Sequence, residues 1–273
     1  MTRLAGTVLL TGASGGIGQA VARAVARAGA ELILTSRRIE VLEPLALELA
    51  AAELAPAHPR ARVIACDLAD RAELARLVGQ ASPVDVLIAN AGVPAGGLLG
   101  DLSQEEIDRM LEINLRAPIA LARAFAPGMV ARGRGHIVLM SSLQGKAAVP
   151  ASSVYSATKF GLRGFALGLR EDLHRHGVGV SVVLPGFIRD AGMFADSGTP
   201  LPIGVGTRSP EDVAEAVLSA IERNRAEVEV APVSLRLGTA VASVAPALSA
   251  AVSRRLGSER IAARIVAAQR DKR

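Results

Sequence analysis

Gly6-Thr-Val-Leu-Leu-Thr-Gly-Ala-Ser-Gly-Gly-Ile-Gly18, followed by an Ala- and Val-rich run that ends at Gly29, is the stretch on which the fold turns. Gly6 to Leu10 with Thr11 is a short, mostly apolar run, as a strand covered on both faces requires. Gly12 to Gly18 then supplies a turn, and Gln19 to Ala28 reads as a helix closed by Gly29. In such a strand, glycine turn and helix, the missing side chains let the backbone approach a pyrophosphate. The free N-H groups and positive dipole end of the helix would offset its charge. A tight turn without a ligand uses the same residues, so the rest of the chain decides.

Outward from this unit the pattern repeats. Strands are expected at Glu31 to Thr35, Ala61 to Ala65, Asp85 to Ala89, His136 to Met140, Val178 to Leu184 and Glu227 to Ala231. Between them lie helical patterns over Ile39 to Leu54, Asp70 to Val78, Ser103 to Asn114, Leu115 to Arg132 with a kink at Pro118, Ser152 to His174, and 211–223. Ser103 with Glu106 forms a capping box. The alternation implies a single α/β domain over 1–231, a Rossmann-type, doubly wound parallel sheet of about seven strands with helices on both faces. Phe187 to Arg208 is the longest irregular stretch and reads as a lid. Asp67 follows the third strand and is read either as the cap of the next helix or as a ligand contact.

The chemistry gathers in Ser141 to Lys159, which holds the only tyrosine. Past Pro150, Tyr155 and Lys159 stand at i and i+4 on one helix face, where an ammonium can favour the phenolate and lower the phenol's pKa. Ser142, at the carboxyl end of the fifth strand, offers a hydroxyl that can polarise a carbonyl. At the end of the second strand, where an NAD-selective site needs a carboxylate for the ribose 2′-hydroxyl, stand Ser36, Arg37 and Arg38. Arg37 is expected to meet a 2′-phosphate, helped by Ser36 and Arg38, so NADP(H) is expected over NAD(H).

Composition closes other routes. One cysteine among 273 residues excludes an internal disulfide framework, and four scattered histidines give no metal site. No secretory leader is read at the amino end, so cytoplasm is the expected location. Residues 254–273 hold seven Lys/Arg and two Asp/Glu, the whole of the net charge of +5. With one Tyr, five Phe and no Trp, the remaining chain lacks the basic, aromatic surface that nucleic-acid binding uses.

Thr11-Gly-x-x-x-Gly-x-Gly18, Asp67, Asn90-Ala-Gly92, Asn114, Ser142, Tyr155-x-x-x-Lys159 and Pro185-Gly186 stand in the order and spacing of the short-chain dehydrogenase/reductase family, which the chain resembles over about residues 5 to 231. The resemblance implies that Gly12, Ser14, Gly15, Gly16, Ile17 and Gly18 hold the cofactor's phosphates and ribose, Asp67 and Leu68 its adenine side, and Asn90, Ala91 and Gly92 its central ribose. Pro185, Gly186 and Ile188 are further cofactor contacts. Lys159 is expected to grip the nicotinamide ribose, Tyr155 to act as general acid or base, Ser142 to orient the substrate oxygen, and Asn114 to position a water toward Lys159.

The implied activity is hydride transfer between nicotinamide and a carbonyl or secondary alcohol of a fairly apolar small molecule. Val93, Leu143, Phe187, Met193 and Phe194 are expected to line the substrate cleft. The alternative is a catalytically idle NADP-binding or scaffolding protein that retains the fold. Asp190 replaces the Thr that many members use on the carboxamide, and residues 232–273 form a basic, helical extension that sets the chain apart from the family's ketoacyl reductases. The uncharged Leu237 to Ser253 run is too short to span a bilayer. It is left to pack over the substrate opening or a neighbouring subunit, or to lie on an anionic membrane. Small residues Ala157, Gly161, Gly164 and Gly168 on the Tyr155 helix point to a homodimer or homotetramer.

Overall fold

The computed structural model describes Leu4, residues 6–51, 61–94, 96–195, 197–199, 201 and 205–255, together with Ala262 and Val266. Strands β1 (Thr7–Thr11), β2 (Glu31–Ser36), β3 (Ala61–Ala65), β4 (Val86–Ala89), β5 (Gly135–Met140), β6 (Val178–Pro185) and β7 (Glu227–Val230) form one parallel sheet. Its order is β3-β2-β1-β4-β5-β6-β7. Helices α1 (Gly16–Arg27), α2 (Ile39–Ala51), α3 (Arg71–Ala81), α4 (Gln104–Leu111), α5 (Ala117–Arg132) and α6 (Ser153–Leu173) make the crossovers. They are followed by α7 (Gly192–Ala195), α8 (Pro210–Glu222), α9 (Val233–Val244) and α10 (Pro246–Arg255). Leu54, the end of the expected second helix, lies outside the described residues, as does part of the lid stretch.

Alternation along each strand sends neighbouring residues to opposite faces. Leu9, Leu87 and Ile137 join α3, α5 and α6 on one side, while Val8, Leu10, Leu32 and Val86 join α1, α2 and α8 on the other. The inner strands are therefore covered on both faces, which is why β1, β4, β5 and β6 read as mostly apolar runs, while the edge strands β3 and β7 carry Arg62, Glu227 and Glu229. The chain leaves the β3 edge and returns at β4 beside β1, so the strand order reverses between β1 and β4. Open α/β sheets bind ligands outside the carboxyl ends of their strands at such a switch point.

Three local readings change. The helix α1 begins at Gly16, so Gly16 and Gly18, taken as turn residues, lie in its first turn. Asp70 caps α3 by accepting from the amides of Ala72 and Glu73, which leaves Asp67 free of the capping role. The expected break at Pro118 is instead a π-helical turn over Glu112–Arg116 that joins α4 to α5. The π turn holds Asn114, wholly buried.

Candidate active site

The cofactor end of the site is a cradle that side chains would fill. Gly12 has φ of +66°, and a Cβ there would lie 2.7 Å from the Ala91 Cα. One on Gly18 would meet the Gly12 carbonyl and lie 2.8 Å from the Ala13 Cα, and one on Gly16 would strike Ala191. Only glycine lets β1, α1 and the segment after β4 approach this closely. No side chain caps α1, because its N-cap is Gly15, so its first amides remain available to an anion. Asn90 locks the loop from the next strand: its Nδ2 donates to the carbonyls of Thr11 and Gly12 at 3.1 and 3.2 Å. The Thr11 Oγ1 accepts from the amides of Asn90 and Ala91 at 3.1 and 3.0 Å.

At the end of β2 the two arginines part. Arg38 reaches back to the glycine loop, where its Nη2 donates to the Ser14 carbonyl and Ser14 Oγ, both at 3.2 Å. Arg37 lies 3.9 Å from an Asp67 oxygen. The Ser36 hydroxyl accepts from the Arg38 amide at 3.0 Å. Asp67 bonds the Ala69 amide at 3.0 Å and faces Arg109 at 3.9 Å. The Asp67 carboxylate thus lies within 4 Å of a guanidinium from β2's end and another from α4.

The reaction end is built where β5 stops. Ser142 follows β5, accepts from the Gln144 amide at 3.1 Å, and donates to the Pro185 carbonyl at 3.4 Å. Helix α6 brings Tyr155 to Ser142 and Lys159 to the same pocket, its Nζ 5.5 Å from the Tyr155 ring centre. The buried Lys159 ammonium donates to the Met140 carbonyl at 3.1 Å. Ser141 ties the strand to the helix through the Lys159 carbonyl at 2.9 Å.

The electrostatics differ from the expectation that Lys159 draws the phenol down. Desolvation pushes Tyr155 up to about 12, with only its Ser142 hydrogen bond acting downward. Burial lowers Lys159 to about 8. At neutral pH the phenol therefore keeps its proton.

Asn114 does not reach the cavity wall. Its Oδ1 accepts from the Val93 amide at 2.8 Å and its Nδ2 donates to the Val93 carbonyl at 3.0 Å. It pins the segment after β4. Gly92 fills the gap between it and Lys159: a Cβ there would sit 3.3 Å from Asn114 Oδ1 and 3.6 Å from Lys159 Nζ.

Both ends open into one cavity of about 950 Å³. The structure brings together there the other candidate cofactor, catalytic and substrate residues: Gly12, Ser14 to Gly18, Ser36 to Arg38, Asp67, Leu68, Asn90 to Val93, Ser142, Leu143, Tyr155, Lys159, Pro185 to Ile188, Met193 and Phe194. Phe187 and Phe194 pack ring on ring, 4.8 Å between centres. Asp190 is outside the wall, exposed in a left-handed backbone conformation and 3.3 Å from Arg189. Ile188 and Ala191 line the cavity on either side of it. Sequence reasoning missed Arg109 and Gln144, whose motifs carry no local signal. It left undecided the part played by Leu235, Thr239, Ala262 and Val266 of the extension, which close one side.

The glycine cradle, the uncapped helix start and the long cavity joining it to Ser142, Tyr155 and Lys159 fit a nicotinamide dinucleotide. Among the described residues no cluster of His, Cys, Asp and Glu could hold a metal.

Comparisons agree with this geometry. Residues 6–200 match the family described as short chain dehydrogenase. The chain is 40% identical over 235 residues to the ketoacyl reductase HetN of Nostoc sp., covering 84% of this chain and 80% of that one. Dehydrogenase/reductase SDR family member 7B of Bos taurus is 35% identical over 254 residues, 88% of this chain and 78% of its own. A short-chain dehydrogenase from Sphingobium yanoikuyae in complex with NADPH superposes with a TM-score of 0.76 at 30% identity, covering 92% and 95% of the two chains. The bulky-bulky ketone specific alcohol dehydrogenase from Comamonas testosteroni gives 0.72 at 29% identity, covering 82% and 85%. The chain belongs to the short-chain dehydrogenase/reductase family and is an oxidoreductase that interconverts CH-OH and C=O groups.

Proposed function

We propose that the protein is an NADP(H)-dependent oxidoreductase of a fairly apolar ketone, aldehyde or secondary alcohol, with Ser142, Tyr155 and Lys159 as its catalytic residues. The observation that carries the cofactor choice is the Arg38 guanidinium fastened to Ser14 at 3.2 Å, with Arg37 beside it and no carboxylate at the end of β2. Two cations there favour a 2′-phosphate, and Arg38, fixed to the loop, takes the larger share. Gly12 and Ser14 to Gly18 would hold the phosphates, Asp67 and Leu68 the adenine side, Asn90 to Gly92 the central ribose, and Pro185, Gly186 and Ile188 the nicotinamide side. When bound, the dinucleotide supplies or accepts the hydride.

In reduction Tyr155 gives its hydroxyl proton to the carbonyl oxygen, and in oxidation it takes the alcohol's proton. Ser142 holds that oxygen by a hydrogen bond. Lys159 carries positive charge below about pH 8 and stabilises the phenolate left after donation. A phenol held at about 12 keeps its proton at neutral pH and can donate it. Asn114 positions Val93 and the floor beneath Lys159. The walls given by Val93, Leu143, Phe187, Met193 and Phe194 favour an apolar substrate.

Helix α6 leaves Gly164 and Gly168 open to close approach, with no described atom within 4 Å of a Cβ on either. This supports a dimer or tetramer formed through α5 and α6. The test is a panel of apolar ketones, aldehydes and secondary alcohols with NADPH and NADH. Turnover of bulky apolar carbonyls, favouring NADPH, is expected. Equal use of NADH, or turnover confined to small charged substrates, contradicts the reading.

A further inference from the structure

Helix α9 is apolar on both sides. Its inward residues Leu235 and Thr239 line the cavity. On the opposite side Val233, Leu237, Val241 and Val244, spaced by four, four and three, form a stripe that is 64, 63, 52 and 87% exposed. Helix α10 adds exposed Leu248 and Val252, again four apart. Single exposed apolar residues are ordinary, but a run of this spacing is the stripe a surface helix normally turns to the core. The one charged side chain of α9, Arg236, leans away to Glu229 at 3.3 Å and leaves the stripe uninterrupted. Exposed Leu98 and Leu99 lie just after Gly96, where a Cβ would sit 2.8 Å from Val266 of the same extension.

The apolar stripe runs straight into positive charge. Arg254 and Arg255 end α10, both exposed, and residues 254–273 contain all of the chain's net charge of +5. Neither α9 nor α10 contains an acid. A second copy seated on this face would therefore bring Arg254 and Arg255 of both copies together with no carboxylate from these helices to pair with them. An anionic bilayer meets both needs, taking apolar side chains into its headgroup boundary and attracting the arginines.

We infer that the α9–α10 face docks on an anionic membrane surface, with Val233, Leu237, Val241, Val244, Leu248 and Val252 entering the interface and Arg254 and Arg255 at the end of α10 beside them. The contact is interfacial, since no helix among the described residues is long and apolar enough to cross a membrane. The same helix walls the cavity on its inner side, so docking holds the cavity one helix away from lipid.

The experiment is co-sedimentation of the full chain with phosphatidylcholine vesicles, with and without phosphatidylglycerol. Binding is read without turnover, so its failure and that of the enzymatic reading are separable. Binding that requires phosphatidylglycerol and weakens with salt is expected. Arg254→Ala with Arg255→Ala should lower partitioning about 25-fold, at roughly fivefold per cation. Leu237→Asp with Val241→Asp should lower it on the order of 100-fold. Both positions are exposed and outside the catalytic wall, and unchanged melting and turnover would confirm an intact fold. No binding to anionic vesicles, or binding that survives both double variants, overturns the proposal. So does an oligomer that the Leu237→Asp, Val241→Asp variant splits in light scattering, since that makes a second copy the occupant.

Discussion

His136 is a titration built into the core of the sheet. It stands on β5, 6% exposed, beside β6. Its Nε2 lies 2.8 Å from Ser181 Oγ. The Ser181 hydroxyl donates to the Arg225 carbonyl at 2.5 Å, so the ring's N-H is the donor to Ser181. Gly179 lies flat under the ring, where a Cβ would sit 2.5 Å from Cε1. Burial, helped by the nearby Arg170 charge, lowers this imidazole to about 4 from its ordinary 6.5. Below 6.5 the unfolded chain takes up a proton that the folded chain refuses. The stability present above that pH is therefore lost as pH falls toward about 4. The full amplitude is on the order of 3 kcal/mol, of which about 2 kcal/mol is gone by about pH 5. Urea denaturation of the wild type and of His136→Gln at about pH 7.5 and about pH 5 isolates the effect, because every other titration cancels in the difference. The variant is expected to be less stable at the higher pH but to lose about 2 kcal/mol less between the two. Equal losses would refute the assignment of a neutral, buried imidazole.

Arg38→Ala should weaken NADPH binding by about 2 kcal/mol, roughly 30-fold, and NADH binding far less, by titration calorimetry. Arg37→Ala should cost less than Arg38→Ala, because Arg37 is exposed and partly answered by Asp67 at 3.9 Å. Gly18→Ala puts a Cβ against the Gly12 carbonyl and 2.8 Å from Ala13 Cα. It should weaken both dinucleotides alike, and a loss of NADPH binding alone would show that the loop does not cradle the shared pyrophosphate.

The sequence disclosed what backbone chemistry and apolar period determine. The apolar runs of β1, β2, β4, β5 and β6, buried in the sheet, could be read as strands, and the glycines at 12, 16 and 18 as a close approach, because no other residue permits it. Tyr155 and Lys159 meet because one helical turn separates them. The losses came where direction or environment decides. The Glu112–Arg116 turn has ordinary helix-forming residues, so nothing in its pattern marks the extra residue per turn. Arg37 and Arg38 are adjacent and chemically alike, and only the folded structure shows that the Arg38 side chain reaches Ser14. The phenol was expected to be lowered by a lysine, yet the depth of the cleft, a tertiary property, raises it. The apolar period of α9 could not say which face the chain would bury, and the structure leaves its stripe on the outside.

In the proposed mechanism Tyr155 transfers the proton while the rest of the site binds. Tyr155→Phe removes one oxygen and keeps the ring. Single-turnover reduction of an apolar ketone by the NADPH-loaded variant, beside a calorimetric NADPH titration, measures both roles at once. The rate is expected to fall by at least 10²-fold, in the range of a lost general acid, with NADPH affinity unchanged within about threefold. A variant that reduces the ketone at the wild-type rate would contradict it.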